Sequence, residues 1–185
     1  TLFCLLLALN AIARPASPLT HDARLYSLQA LNAAYGGYED DVFLRYGSQD
    51  QFSLFSRIIG PVVAVIGLRW TFFAFYLVFN TLFIAALFRL VRALITDPLI
   101  ATVSLIYLVT AALPYGGFDI FMVHEQFFTP RIIGSTLTLF ALERLLNHRF
   151  VTAFALLGAG LLVHPLMAFG GVMIAVTYLA ATLLP

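Results

Sequence analysis

Lysine is absent from this 185-residue chain, so all ten of its basic residues are arginine, and charged residues of both signs make up only 10% of it. With a formal net charge of +1 there is no basic field for a polyanion, which excludes nucleic-acid binding. Cysteine occurs once, as Cys4 inside an apolar run, so no internal disulfide and no thiolate metal site can be built. No repeat recurs at a fixed period. The Gly-rich phosphate loops of nucleotide enzymes and the His-Glu-x-x-His pair of zinc proteases are missing as well.

What is present is apolar. Hydrophobic residues reach 62% and mean hydropathy +0.97, with 18 Phe and 8 Tyr. Soluble domains are roughly 45–50% apolar and about 25% charged, so the composition belongs to a bilayer. A spanning helix needs about 20 mostly apolar residues to cross a hydrocarbon core of about 30 Å. The sequence starts within the run "TLFCLLLALNAIA" and stops within another, and it reads as part of a longer membrane protein whose first span, 1–13, is incomplete. The alternative for that run is the tail of a signal peptide, with "AIARPAS" as cleavage region. Further spans are expected at about 70–92, 98–114, 130–146, 150–164 and 166–185. Asp97-Pro98 starts one of them, and His164-Pro165 breaks the long uncharged stretch after Phe150. The expected fold class is all-α: a multi-pass transmembrane helical bundle in one domain.

Arg89 and Arg92 close one span, and Arg144 and Arg149 flank "RLLNHR", which makes these short connections cytoplasmic by the positive-inside rule. The segment 14–69 and the loop 114–130 then face the other side. They hold Asp22, Glu39, Asp40, Asp41, Asp50, Asp119 and Glu125, seven of the nine acids. Within 14–69 two amphipathic surface helices are expected. One starts near Pro18 and Thr20, carries Leu25, Leu28, Leu31 and Tyr35 at helical spacing and stops at Gly36-Gly37. The other starts at "SQDQ", where Ser48 and Gln51 have capping-box spacing, with Phe52, Phe55, Ile59 and Val62 as its apolar stripe.

Several polar groups on this face can carry chemistry. Asp22 lies near the membrane boundary, where a carboxylate can take a proton from an acceptor hydroxyl; equally, it can cap a helix. Asp40 and Asp41, beside Glu39, offer oxygen ligands to a divalent cation or form a solvated turn. Arg131 opens a span on the side where it gains nothing from orientation, so it can pair with a lipid phosphate, with Glu125 or with a headgroup. His124 and Glu125 share its loop. His164 is either a cavity-facing group at a helix break or a core histidine bonded to a carbonyl. Asn80, Tyr107, Gly158 and Gly160 read as helix-packing positions.

The stretch "HDARLYSLQALNAAYGGYEDD", which follows a first span, resembles the opening outer loop of GT-C type polytopic glycosyltransferases. That group includes the protein mannosyltransferases and the aminoarabinose transferase of lipid A. The later "HEQFFTPRIIGSTLTLFALERLLNHRFVTAFALLGAGLLVHPLMA" looks like bacterial membrane proteins of the same group. There a Glu and an Arg precede one span and a His-Pro ends the next. The resemblance implies Asp22 as the catalytic carboxylate, with Arg24 and Tyr26 continuing its motif. A second acid often follows the first in the family; here Ala23 stands in its place.

The expectation that follows is sugar transfer from a polyprenyl-phosphate donor at the extracytoplasmic face of a bacterial inner membrane. Asp22 would be the base, with His21, Arg24, His124, Glu125, Arg131 and His164 binding substrate and a divalent cation as an optional cofactor. Two other classes compete. A transporter or flippase would keep Arg131 and His164 deep in the bilayer and Asp22 far from both. A non-catalytic subunit of a membrane assembly would turn aromatic surfaces such as "FSLFSRIIG" toward protein partners.

Overall fold

The computed structural model describes residues 1–115 and 121–183, so Asp119 lies outside the described residues. Eight α-helices form: α1 (Leu2–Ala13), α2 (Ala23–Tyr35), α3 (Phe55–Ile66), α4 (Leu68–Leu94), α5 (Pro98–Thr110), α6 (Pro130–Leu146), α7 (Phe150–Val163) and α8 (Pro165–Leu183). The described residues are therefore all-helical apart from one small strand pair. Two-residue strands β1 (Pro114–Tyr115) and β2 (Phe121–Met122) pair antiparallel, Pro114 opposite Met122 and Tyr115 opposite Phe121. This hairpin shortens the expected span 98–114, because α5 stops at Thr110.

Prolines set the helix starts as the sequence indicates. Asp97 accepts hydrogen bonds from the Leu99 and Ile100 amides at 2.8 and 2.9 Å, with Pro98 in the first turn where its missing N–H costs nothing. Pro130 opens α6, and the backbone leaves the helix at His164 before Pro165 opens α8.

The long helices alternate in direction. Arg14, just past α1, hydrogen-bonds the carbonyls of Val109 and Ala111 at the end of α5, so these two helices finish together. Arg89 and Glu143, near the ends of α4 and α6, pair at 2.9 Å. Tight turns at 147–149 and at His164 then reverse the chain into α7 and α8. Thus α1, α5 and α7 run one way, and α4, α6 and α8 the other. Helices α4 (Leu68–Leu94) and α8 (over Pro165–Thr182) are long and apolar enough to cross a membrane. Only 33% and 17% of their most apolar windows are buried within the molecule, so much of their apolar surface faces outward.

The packing of α2 and α3 departs from the sequence pattern. Of the apolar stripe expected on α2, Leu31 packs against the core and Leu28 is half-buried, but Leu25 and Tyr35 are exposed, whereas Ala23, Gln29 and Ala30 are buried. Small residues explain the reversal: a Cβ on Gly60 of α3 would lie 2.7 Å from Ala33 Cβ and 3.1 Å from the Ala33 carbonyl carbon. The two backbones approach too closely to admit leucines between them. On α3 the buried stripe is Phe55, Ile59 and Val63, while Phe52 is exposed. The helix starts seven residues after Ser48, whose hydroxyl instead accepts from Gln29 and from the Asp50 amide. Among the expected packing positions, a Cβ on Gly160 would touch Ala168 at 3.1 Å, whereas Gly158 and Tyr107 face outward.

The core is aromatic. Phe128, fully buried, lies 5.4 to 6.1 Å from the ring centres of Phe55, Phe72, Phe75 and Phe79. It locks the segment entering α6 against α3 and α4, and that segment carries the polar groups described next.

The close approach of α2 and α3 is testable. Gly60→Val should destabilise the protein by about 1–3 kcal/mol through overpacking. Gly158→Ala, with open space around it, should leave the Tm in thermal unfolding unchanged or raise it.

Candidate functional site

Asp22 stands at the start of α2, yet its side chain makes no capping hydrogen bond. Its Oδ2 accepts from Arg131 Nη1 at 2.7 Å, and its Oδ1 lies 2.9 Å from His21 Nδ1. His21 has φ +50°, a left-handed conformation uncommon for a residue with a side chain. The imidazole stacks on Phe127, with ring centres 5.5 Å apart. That sharp turn aims the Asp22 carboxylate at α6 rather than at the amides of its own helix, so the capping alternative does not describe it.

Arg131, in the first turn of α6, is the hub. Its Nε donates to Glu125 Oε1 at 2.8 Å, its Nη2 lies 2.6 Å from the same oxygen, and its guanidinium carbon sits 4.9 Å from the Phe121 ring centre. Glu125 Oε2 accepts from the Thr129 hydroxyl at 2.8 Å. Arg131, Glu125 and Thr129 are buried, whereas Asp22 keeps about a quarter of its side chain exposed (26%). Burial pushes the Glu125 carboxyl up from the usual range, against the pull of Arg131 and of its hydrogen bonds. Tyr26, one turn along α2, has its phenol pushed up by the same burial. With both acids ionised the cluster carries one cation and two anions. A buried charge persists only when paired in this way.

The other residues singled out by sequence divide. His21 belongs to the site. Arg24 is exposed and forms no ion pair among the described residues, so it does not join Asp22. His124 turns away from Glu125: its Nε2 meets Asn80 Oδ1, which also accepts from Asn10 at 3.3 Å, and its ring lies 4.8 Å from Phe83. Burial drops the His124 pKa to about 3, keeping the ring neutral. Asn80 is thus the centre of a polar contact between α1, α4 and the loop. His164 accepts the Met167 amide on Nδ1 at 3.3 Å and lines a separate, mostly apolar cavity of about 420 Å³ with Tyr26, Gln29 and Phe52.

Asp40 is exposed, 3.8 Å from Arg45, and Asp41 accepts from the Phe43 and Leu44 amides as a local turn cap. Neither meets Asp22, and no group of three or more His, Cys, Asp or Glu able to hold a metal occurs among the described residues.

A second cavity, about 570 Å³, adjoins the cluster and is lined by Arg14, Ser17, Thr20, His21, Glu125 and Gln126, among others. Arg14 and Thr129 are contributors that the sequence reading passed over. A signal for Arg14 existed: it directly follows the apolar run 1–13, much as Arg131 directly precedes another apolar run. Compared with known proteins, the chain matches no protein-family model, no curated protein and no solved structure.

Two outcomes follow. Arg131→Met leaves the buried Glu125 carboxylate without its cation and should cost about 3–5 kcal/mol, read as a fall in Tm; Arg24→Met should stay within about 0.5 kcal/mol. His124 binds a proton more readily unfolded, near pH 6.5, than folded, near pH 3. Between these values the unfolded chain holds more protons, so stability should fall as pH is lowered from 6.5, by up to about 1.4 kcal/mol per pH unit. His124→Gln should flatten the dependence of Tm on pH in that window.

Proposed function

We propose that the chain is the site-bearing part of a multi-pass membrane glycosyltransferase, working on a polyprenyl-phosphate sugar at the extracytoplasmic face of a bacterial inner membrane. The observation that carries the reading is the contact of Asp22 with Arg131: residues 109 positions apart meet at 2.7 Å beside a cavity, while Asp22 stays partly exposed. The outward apolar surfaces of α4 and α8 and the alternating helix directions support membrane insertion. The acidic cluster at the start of α6 and the Arg89–Glu143 pair near its end lie about 18 Å apart along the helix, separating two polar ends.

In this reading Asp22 takes the proton of the acceptor hydroxyl as its oxygen bonds to the anomeric carbon. The bond from that carbon to the carrier phosphate breaks, and polyprenyl phosphate leaves. Arg131 and His21 aim Asp22, each contacting one of its two carboxylate oxygens. Arg131, shared by two acids, positions the base rather than offering a free cation to the phosphate. A transporter would keep Asp22 far from Arg131, so their contact favours the enzyme.

Asp22→Asn preserves shape and removes the basic oxygen. Transfer from a polyprenyl-phosphate sugar by the full-length, membrane-inserted protein should fall by about 10²–10⁴-fold. Transfer at the wild-type rate would remove Asp22 from catalysis.

A further inference from the structure

Two arginines border the candidate site, and their charge balance differs. Arg131 is matched by Asp22 and Glu125, so carboxylate oxygens already occupy its guanidinium where an incoming anion would have to bind. Arg14 is equally buried, but its partners are neutral: Nη1 donates to the His124 carbonyl at 3.0 Å, Nε to the Val109 carbonyl at 3.4 Å, and Nη2 to the Ala111 carbonyl. These bonds cap the carbonyl end of α5 and tie it to the loop before α6. They do not neutralise a full positive charge, and among the described residues no carboxylate forms an ion pair with Arg14. A guanidinium has five N–H donors, and three are used here.

Arg14 also lines the 570 Å³ cavity, together with the hydroxyl-bearing Ser17 and Thr20 and with His21 and Glu125. The lining is therefore bipolar, holding the uncompensated cation of Arg14 and the carboxylate of Glu125. A ligand that carries both a phosphate and hydroxyls matches it. The phosphate would take the spare N–H donors of Arg14, and the hydroxyls would donate to Glu125 or exchange hydrogen bonds with Ser17 and Thr20.

We infer that Arg14, and not Arg131, receives the phosphate of the lipid-linked sugar; this rests on the proposed glycosyl-transfer reading and adds its phosphate subsite.

The test is binding of farnesyl phosphate to the full-length protein in zwitterionic nanodiscs, with farnesol as the phosphate-free control and inorganic phosphate as competitor. Farnesyl phosphate should bind and farnesol should bind at least tenfold more weakly. Arg14→Gln should lose about tenfold or more in affinity, the worth of a charge-assisted contact. Because Arg14 also ties α1 to α5, two further variants are needed. Arg14→Lys keeps the charge and should retain binding within a few-fold. Ser17→Tyr fills the cavity without touching the bonds of Arg14 and should lose binding at an unchanged Tm. Competition by inorganic phosphate would show that the phosphate group alone is read; Arg14-dependent binding without competition would show that the phosphate is read together with its prenyl chain. The inference is overturned if wild-type protein does not bind farnesyl phosphate, if farnesol binds equally well, or if folded Arg14→Gln or Ser17→Tyr binds within twofold of wild type. These results are independent of transfer by Asp22→Asn: loss of transfer there, with Arg14→Gln binding intact, overturns only the phosphate subsite. Wild-type transfer there, with Arg14→Gln binding lost, overturns only the catalytic role of Asp22.

Discussion

The guanidinium of Arg131 is the constraint around which the polar end of this molecule is organised. It is buried at the start of α6, where an unpaired cation would cost several kcal/mol, and the chain answers with two carboxylates from distant segments. Asp22 arrives from the start of α2 and Glu125 from the loop after the hairpin, and Phe121 covers the cation. Each of these demands shapes its own neighbourhood. The left-handed turn at His21 exists where Asp22 must leave its helix axis, and Thr129 supplies the hydroxyl that the second oxygen of Glu125 requires.

Packing around Phe128 and pairing at Arg131 reinforce each other. Phe128 buries itself among four phenylalanines from α3 and α4, which fixes the backbone three residues before Arg131. The aromatic cluster needs no directional partner, so it tolerates the apolar setting, while the ion pairs supply the direction it lacks. Together they tie the α2–α3 pair to the long helices, and the result is a polar recess beside the aromatic core.

That recess separates charges by role. Asp22 is held between a cation and an imidazole and stays partly open to solvent, within reach of an incoming hydroxyl. Glu125 is mostly buried and paired with Arg131, a supporting group at the edge of the recess. Arg14 has only carbonyl partners and faces the open volume. His124 stays neutral within the Asn10–Asn80 contact, joining helices rather than serving the recess. His164, the residue that ends α7, serves a different and mostly apolar cavity.

Composition and punctuation were legible without coordinates. An apolar chain without lysine, with prolines at 98, 130 and 165, dictates helices that begin where proline's fixed φ and missing N–H are harmless, and α5, α6 and α8 begin there. The spacing of Asp22 after an apolar run and of Arg131 before another also marked both as boundary residues. The face of α2 that packs inward was not legible, because hydrophobic spacing assumes a water-facing side, and here close contact between Ala33 and Gly60 outweighs the burial of leucines. Nor did spacing reveal that His124 and Glu125, neighbours in sequence, point into different environments. Sequence by itself determined which segments are helical and where polar groups gather, since propensity and hydropathy act locally. Only the tertiary structure decided which charge meets which, because an ion pair across 109 residues depends on how whole helices are juxtaposed.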